Sequence, residues 1–353
     1  MNAEKIDVLY VGGTGGIEER LAARAGLRFV GVPAGGVHGL GPWRATQNFI
    51  RLVRGWWGAY RLGRRERPAA LFATGGYASV PVALAAWVLR TPVLVYLPDI
   101  EPGLAVRFIA RLATKVAVTV ANSRIHFPAR KVIVTGYPVR ADFHGLVREE
   151  ARTALGLAAD ELTLLVMGGS RGAHSINRAL NSLPNSPREG VLEQVLELAQ
   201  VVHVTGRLDW PRVKERREEL PAALRSRYHA FPYLHERMGL ALASADLTVC
   251  RAGASTLGEL PFFGLPAILA PYPHAWPYQR VNAEWLVERG AAVQLDDDRL
   301  SEDLLPTIGR VLSDRAALME MSGRMRSLAR PGAARRLADE LAALVYQDCE
   351  ERR

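Results

Sequence analysis

The sequence predicts an α/β protein built from two doubly wound domains. Three observations predict it. Short apolar, β-branched runs alternate with helix-like stretches, the alternation stops and restarts midway, and several strands open directly onto glycine turns. The chain has 353 residues, more than one ordinary core organises, so two domains are expected. In the first half, residues 71–73, 93–96, 116–119 and 132–134 read as buried strands. In the second half the pattern resumes at 162–166, 201–204, 247–250 and 267–271. The stretch "GYPVRADFHGLVREE" between them carries no regular period. It sets the expected boundary, with one domain over 1–145 and a second over 146–332. An amphipathic helix over 333–347 is expected to pack back on the first domain. Two such domains facing each other direct their strand C-termini into one cleft, where doubly wound folds bind ligands.

Composition narrows the function. Apolar residues make up 49% and charged residues 23%, a globular balance. No run of about 18 uncharged apolar residues suggests a transmembrane helix, and no export signal opens the chain. Cys250 and Cys349 lie far apart, so neither a disulfide nor a metal site is expected, and a reducing cytoplasm fits. No cofactor is implied. The formal net charge of +9 favours an anionic partner: nucleic acid, anionic lipid or a phosphorylated substrate.

Three glycine turns are candidate anion sites. "VGGTGGIEER" follows an apolar run, and Thr14, Gly15 and Gly16 stand where a phosphate would meet backbone N–H groups. "LTLLVMGGSRGAHSINRAL" repeats the construction, with Gly168, Gly169, Ser170 and Gly172 between strand and helix. "TVCRAGASTLGELPFFGLPAILAPYP" repeats it again. There Gly253, Ala254, Ser255 and Thr256 are expected to open a helix, with either hydroxyl able to cap it or to hold a phosphate. Glu259, one turn on, is electrostatically odd beside a phosphate unless it accepts hydrogen bonds from a sugar diol. Otherwise it is an ordinary first-turn glutamate. Gln279 and Asn282, three apart in "HAWPYQRVNA", share a helical face, either as amides that read sugar hydroxyls or as a solvated polar face.

Taken together, "MGGSRGAHSIN", "RAGASTLGELPFFGLPAILAPYPHA", "ATGGYASVPVALAA" and "GYPVR" resemble the MurG family over most of the chain and in the same order. That family comprises the UDP-N-acetylglucosamine:undecaprenyl-pyrophosphoryl-muramoyl-pentapeptide N-acetylglucosaminyltransferases of peptidoglycan synthesis. The resemblance implies a GT-B fold and inverting transfer to a lipid acceptor on the cytoplasmic face of the membrane. It also implies a UDP-sugar held mainly by the second domain, with loop N–H groups and no metal stabilising the leaving UDP. By resemblance, Ser170 and the Ala254-Ser255-Thr256 turn lie near the diphosphate. Glu259 takes the ribose hydroxyls, Gln279 and Asn282 contact the N-acetylglucosamine, and Arg140 binds donor. In "FPYLHERM", His235 or its neighbour Leu234 meets the uracil.

The first half departs from the family. Ile17 stands where the family's GGTGGH loop carries its presumed catalytic histidine. Only about 60 residues separate Gly15 from the Gly75-Gly76-Tyr77 turn, one helix and one strand fewer than the family pattern. The opening segment therefore aligns better with the family's second βα unit, and its first strand, loop and helix have no expected counterpart here. At "VYLPDIEPG", Asp99 occupies the place of the asparagine in the family's "HEQN". Asp99 is the candidate substitute base, with a Pro-Asp turn or helix cap as the plain alternative. Glu101 accompanies it at the strand end, and His38 and His126 are weaker candidates.

The stretch "WRATQNFIRLVRGWWGAYRLGRRER" places Phe49, Val53, Trp56, Trp57 and Tyr60 on one helical face, bordered by Arg51 and Arg54. An aromatic face edged with arginine suits a helix resting in an anionic membrane surface. The alternative is a core helix with basic flanks. A nucleic-acid partner is disfavoured, because no recognised motif accompanies the charge. Two other classes remain beside the transferase: a UDP-sugar and lipid-binding scaffold, and a GT-B enzyme with another lipid acceptor.

Overall fold

The computed structural model describes residues 6–33, 42–169, 172–181, 190–274 and 277–351. The chain divides into two compact units, Met1–Thr135 with Arg335–Arg353, and Gly136–Ala334. The division falls ten residues before the expected boundary, because Tyr137 packs on the second unit. Any Cβ at Gly258 would lie 2.4 Å from the Tyr137 Cβ. The segment carrying Arg140 is therefore part of the second unit.

In the first unit, β1 (Leu9–Gly13) pairs in parallel with β2 (Arg28–Val32) through the helix Ile17–Arg24. A separate parallel sheet has the order β3 (Leu71–Ala73), β4 (Val93–Leu97), β5 (Lys115–Val118), β6 (Val132–Val134). Among the described residues β1 and β3 are not hydrogen-bonded to each other, so each leaves an edge unpaired. Strand β4 is buried at every position, which is why its sequence is apolar throughout instead of alternating. Val93, Val95 and Leu97 share a core with residues of the helices Ser79–Val88 and Leu104–Leu112. On the other face Leu94 and Tyr96 meet Leu337 and Leu344 of the C-terminal helix Ala333–Glu351. Each such leucine contributes about 1.5–3 kcal/mol by burial. Lys115 pairs with Glu340 at 2.6 Å, and the Arg336 guanidinium donates to the Thr135 carbonyl at 2.6 Å, so the helix is tied by polar contacts as well. No helix among the described residues is long and apolar enough to cross a membrane.

The second unit is a six-stranded parallel sheet. Its order is β12 (Ala292–Gln294), β11 (Ala267–Leu269), β10 (Leu247–Cys250), β7 (Thr163–Met167), β8 (Gln200–Val204), β9 (Tyr228–Phe231). The order reverses beside β7, so the turns after β7 and β10 flank the switch point where such sheets bind ligands. Leu164, Val166, Val201, Val249 and Ile268 form one core with Ile176, Leu192 and Leu196 from the covering helices.

Candidate functional site

The turn after β10 is the centre of the site. Gly253, Ala254 and Ser255 follow the strand in a single short turn, and among the described residues their N–H groups donate to no protein acceptor. Successive free N–H groups at a strand end form a concavity suited to an anion. The expected helix start is corrected here. Ala254–Leu257 is a 3-10 turn, the backbone breaks at Gly258, and a five-residue helix, Glu259–Phe263, follows. The two hydroxyls also separate. Thr256 is buried and its Oγ1 donates to the Gly253 carbonyl at 2.6 Å, which closes the turn. The Ser255 hydroxyl is half-buried and has no protein partner among the described residues. Thr256 shapes the concavity, and Ser255 is the group left to meet a ligand.

Glu259 starts the short helix. Among the described residues its carboxylate accepts no hydrogen bond, and burial pushes its pKa up from 4.5 to about 7, with Arg140 opposing the shift. Arg140 is held in turn. Its Nε and Nη2 bind Asp142 at 3.0 and 2.5 Å, its Nη1 donates to the His235 carbonyl at 3.2 Å, and it lies 5.2 Å from the centre of the Phe143 ring. His235 is exposed in the left-handed region at φ 47°, a conformation costly for a residue with a Cβ. Its ring meets Tyr233 edge-on at 4.5 Å, whereas Leu234 is buried. Arg140, Glu259 and His235 are thus brought together, and of the two expected uracil contacts only His235 is open to a ligand.

Gln279 and Asn282 lie on the helix Tyr278–Val287 but play different parts. Gln279 is half-buried, and its Oε1 accepts from the Tyr272 N–H at 2.8 Å. Its amide N–H groups have no protein partner among the described residues. Asn282 is fully buried and donates to the Ala252 carbonyl at 3.1 Å. Asn282 thus braces the β10 turn from behind, and of the two amides only Gln279 has N–H groups without a protein partner among the described residues.

The turn after β7 closes by a bond from the Gly172 N–H to the Gly169 carbonyl at 2.8 Å. Gly172 has φ 85°, and a Cβ there would lie 2.5 Å from the Thr205 carbonyl, so only glycine lets the turn seat against the end of β8. Ser170 lies outside the described residues.

Two buried clusters behind these turns escaped the sequence reading. Arg251 Nη1 donates to the Ala270 carbonyl at 2.8 Å and to Asp297 at 2.5 Å, while its Nη2 donates to Ser175 Oγ at 2.6 Å. One guanidinium therefore ties the ends of β10 and β11 to the helix His174–Leu180. Under the β7 turn, Asn177 Nδ2 donates to the Thr205 carbonyl and to Asp209, leaving its Oδ1 to accept from His203 Nε2 at 2.9 Å. That assigns the Nε2–H tautomer, and His203 Nδ1 accepts from the Tyr228 hydroxyl at 2.6 Å. Burial depresses the His203 pKa to about 3, so the ring is neutral scaffolding. Asn177 and Ser175 lay inside the quoted "RGAHSIN". Asp297 sat in an acidic run with nothing to single it out. Burial pushes the Cys250 thiol to about 12, so it is inert.

In the first unit the opening glycine loop is already filled. The Glu18 carboxylate accepts from the Gly13 N–H at 2.9 Å, Thr14 N–H donates to the Val32 carbonyl at 3.3 Å, and Gly16 N–H to the Gly13 carbonyl at 3.4 Å. A carboxylate seated in the turn repels a phosphate, so the expected anion contact at Thr14, Gly15 and Gly16 does not fit. Asp99 and Glu101 follow the C-terminal end of β4. The segment is fixed by Thr119 Oγ1, which donates to the Pro98 carbonyl at 2.8 Å and accepts from the Tyr96 hydroxyl at 2.8 Å. Asp99 is half-buried and engaged in a contact within the protein. Burial lowers the His126 pKa, with Glu101 acting the other way. His38 lies outside the described residues.

On the helix Pro42–Glu66, Val53, Trp57, Arg51 and Arg54 are exposed. Trp56 and Tyr60 are half-buried, and the Trp56 indole N–H is buried without a partner among the described residues. The Phe49 side chain lies outside the described residues. The aromatic face is therefore divided, and among its described side chains only Val53 and Trp57 are exposed, each by about half.

Residues 163–345 match the glycosyltransferase family 28 C-terminal domain, and residues 1–118 the corresponding N-terminal domain. The chain is 43% identical over 378 residues to the UDP-N-acetylglucosamine–N-acetylmuramyl-(pentapeptide) pyrophosphoryl-undecaprenol N-acetylglucosamine transferase of Roseiflexus sp. (strain RS-1), covering 96% of this chain and 84% of that one. It is 37% identical to the protein of the same name from Desulforudis audaxviator (strain MP104C), covering 96% and 90%. The crystal structure of Acinetobacter baumannii MurG superposes with a TM-score of 0.71 at 24% identity, over 96% of this chain and 91% of that one.

Proposed function

Because the chain belongs to the MurG family of N-acetylglucosaminyltransferases, we propose that it transfers N-acetylglucosamine from UDP-N-acetylglucosamine to undecaprenyl-pyrophosphoryl-N-acetylmuramoyl-pentapeptide, with inversion. Its fold is GT-B, two Rossmann-like units with parallel sheets. The observation that carries the reading is the β10 turn: among the described residues, three N–H groups and the Ser255 hydroxyl have no protein partner, and the Glu259 carboxylate one turn on accepts no hydrogen bond. An anion and a vicinal diol held side by side suit a nucleoside diphosphate. The N–H groups take the β-phosphate side and stabilise the leaving UDP, while Glu259 accepts the ribose hydroxyls. Arg140 adds positive charge beside Glu259, His235 meets the uracil, and the Gln279 amide N–H groups donate to the sugar. Ser170, by the family resemblance, joins the diphosphate contacts.

The acceptor's proton needs a base in the first unit, where Glu18 fills the glycine loop. We assign that role to Asp99, at the end of β4. A lipid acceptor calls for a membrane-facing surface. The helices Pro42–Glu66, Ser79–Val88 and Leu104–Leu112 expose Trp57, Trp87 and Leu104 by about half, alongside Arg51, Arg54 and Arg107. That combination supports peripheral binding to an anionic leaflet on its cytoplasmic side.

Isothermal titration with UDP tests the donor assignment. Glu259→Ala is expected to weaken UDP by about 1.5–3 kcal/mol, the usual loss for hydrogen bonds to a charged group. Equal affinity in wild type and variant removes Glu259 from the site.

A further inference from the structure

The second unit holds a cavity of about 460 Å³ that no step of the transfer uses. Its size lies in the range of about 300–1,000 Å³ typical of small-molecule sites. It sits at the opposite edge of the sheet from the nucleotide turn. Asp246 and Pro266, which line it, come just before β10 and β11, whereas Gly253 and Pro271 come just after them. At the strand rise of about 3.3 Å per residue the two sites are roughly 13 Å or more apart.

The lining joins arginine to aromatic surface. Phe262 and Phe263 form one wall, their rings edge to face at 5.0 Å, and Met319 from the helix Arg315–Ser327 lies across from them, three-quarters exposed. Four charged side chains line the space: Arg148, Arg315, Arg326 and Asp246. Asp246 is already neutralised. Its carboxylate is bound by Arg148, by Arg152 at 2.8 Å and by the Thr163 N–H at 2.8 Å. Arg315 and Arg326 have no carboxylate partner among the described residues. The Arg326 side chain lies against Gly264, where any Cβ would come within 2.7 Å of its Nε. Two uncompensated guanidinium groups beside a phenylalanine pair in a concave site leave a surplus of positive charge next to apolar surface.

We propose that this cavity binds an amphiphilic organic anion, its charge drawn by the positive lining of Arg315 and Arg326, which stand at opposite ends of the lining helix, and its apolar body against Phe262 and Phe263. Guanidinium groups recognise carboxylate, sulfonate or phosphate through paired N–H donors, and the rings supply an apolar floor.

The test uses 8-anilinonaphthalene-1-sulfonate, with uncharged N-phenyl-1-naphthylamine as its control, on the whole protein held at saturating UDP. One saturable site for the sulfonate is expected, with the neutral dye about tenfold weaker or more. Arg315→Glu with Arg326→Glu is expected to weaken the sulfonate by about tenfold or more while the thermal transition is retained. If that double variant fails to fold, Arg315→Ser and Arg326→Ser are measured singly, each expected to weaken binding several-fold. Equal binding of the two dyes, wild-type affinity in the folded variants, or sulfonate binding that is found only when UDP is left out overturns the proposal.

Discussion

Glu259 is the residue through which pH should act on donor binding. Its carboxyl titrates near 7 in the folded chain against an ordinary value of 4.5, so below neutrality it is protonated and offers the ribose only one full acceptor. UDP affinity is expected to rise between about pH 6 and 8, by no more than about tenfold per unit, and then level. Glu259→Gln should give a flat profile. Arg140→Ala, by removing the charge that opposes the shift, should move the midpoint upward. Titrations at three pH values check both, and a pH-dependent Glu259→Gln profile would assign the effect to another group. The sign for folding is the reverse. The folded state holds the Glu259 proton more tightly than the unfolded state, so this contribution is full below about 4.5 and is lost as pH rises through about 7. Asp99 carries the second residue-scale prediction. Asp99→Asn keeps the shape and removes basicity, so turnover is expected to fall about 10²-fold or more while UDP affinity stays unchanged. Wild-type turnover in that variant makes Asp99 a structural turn.

At the scale of elements, the helix Pro42–Glu66 decides how the protein meets lipid. Because Trp56 is half-buried with its N–H enclosed, replacing it would confuse packing with membrane contact. Trp57→Ser with Val53→Ser removes the exposed side chains alone. Sedimentation with anionic vesicles is expected to leave this variant in the supernatant with an unchanged thermal transition. Retention on the vesicles refutes the interfacial role of this helix. The same helix illustrates what was legible from periodicity. The spacing of Val53, Trp57 and Tyr60 placed them on one face, but only packing says how deeply each sinks. Strands β3 to β8, β10 and β11 were read at or near their places because buried parallel strands are continuous apolar runs, whereas the short strands β9 and β12 were not read. The turns were harder. "GGTGG" and "AGAST" look alike as strings, and they differ because Glu18 reaches back into the first, while no side chain among the described residues accepts from the N–H groups of the second. Asn282 and Gln279 share a helical face in sequence, yet one faces the sheet and the other the solvent-side loop. Arg251, Asp297 and Asp209 act through partners distant in the chain, and no local spacing announces them.

For the whole molecule, the chain divides after Thr135, with Arg335–Arg353 returning to the first unit, and the proposed tasks divide the same way. The second carries the turns suited to a UDP-sugar, and the first carries Asp99 and the aromatic, arginine-edged helix. Transfer therefore requires both units to work on one substrate pair. The measurement that tests it most directly is transfer of labelled N-acetylglucosamine from its UDP donor to purified undecaprenyl-pyrophosphoryl-N-acetylmuramoyl-pentapeptide in anionic vesicles. The predicted result is a labelled disaccharide lipid formed with release of UDP, abolished or strongly reduced by Glu259→Ala. UDP binding at the second unit with no labelled lipid formed by the wild-type chain would contradict the transferase and leave a UDP-sugar-binding scaffold.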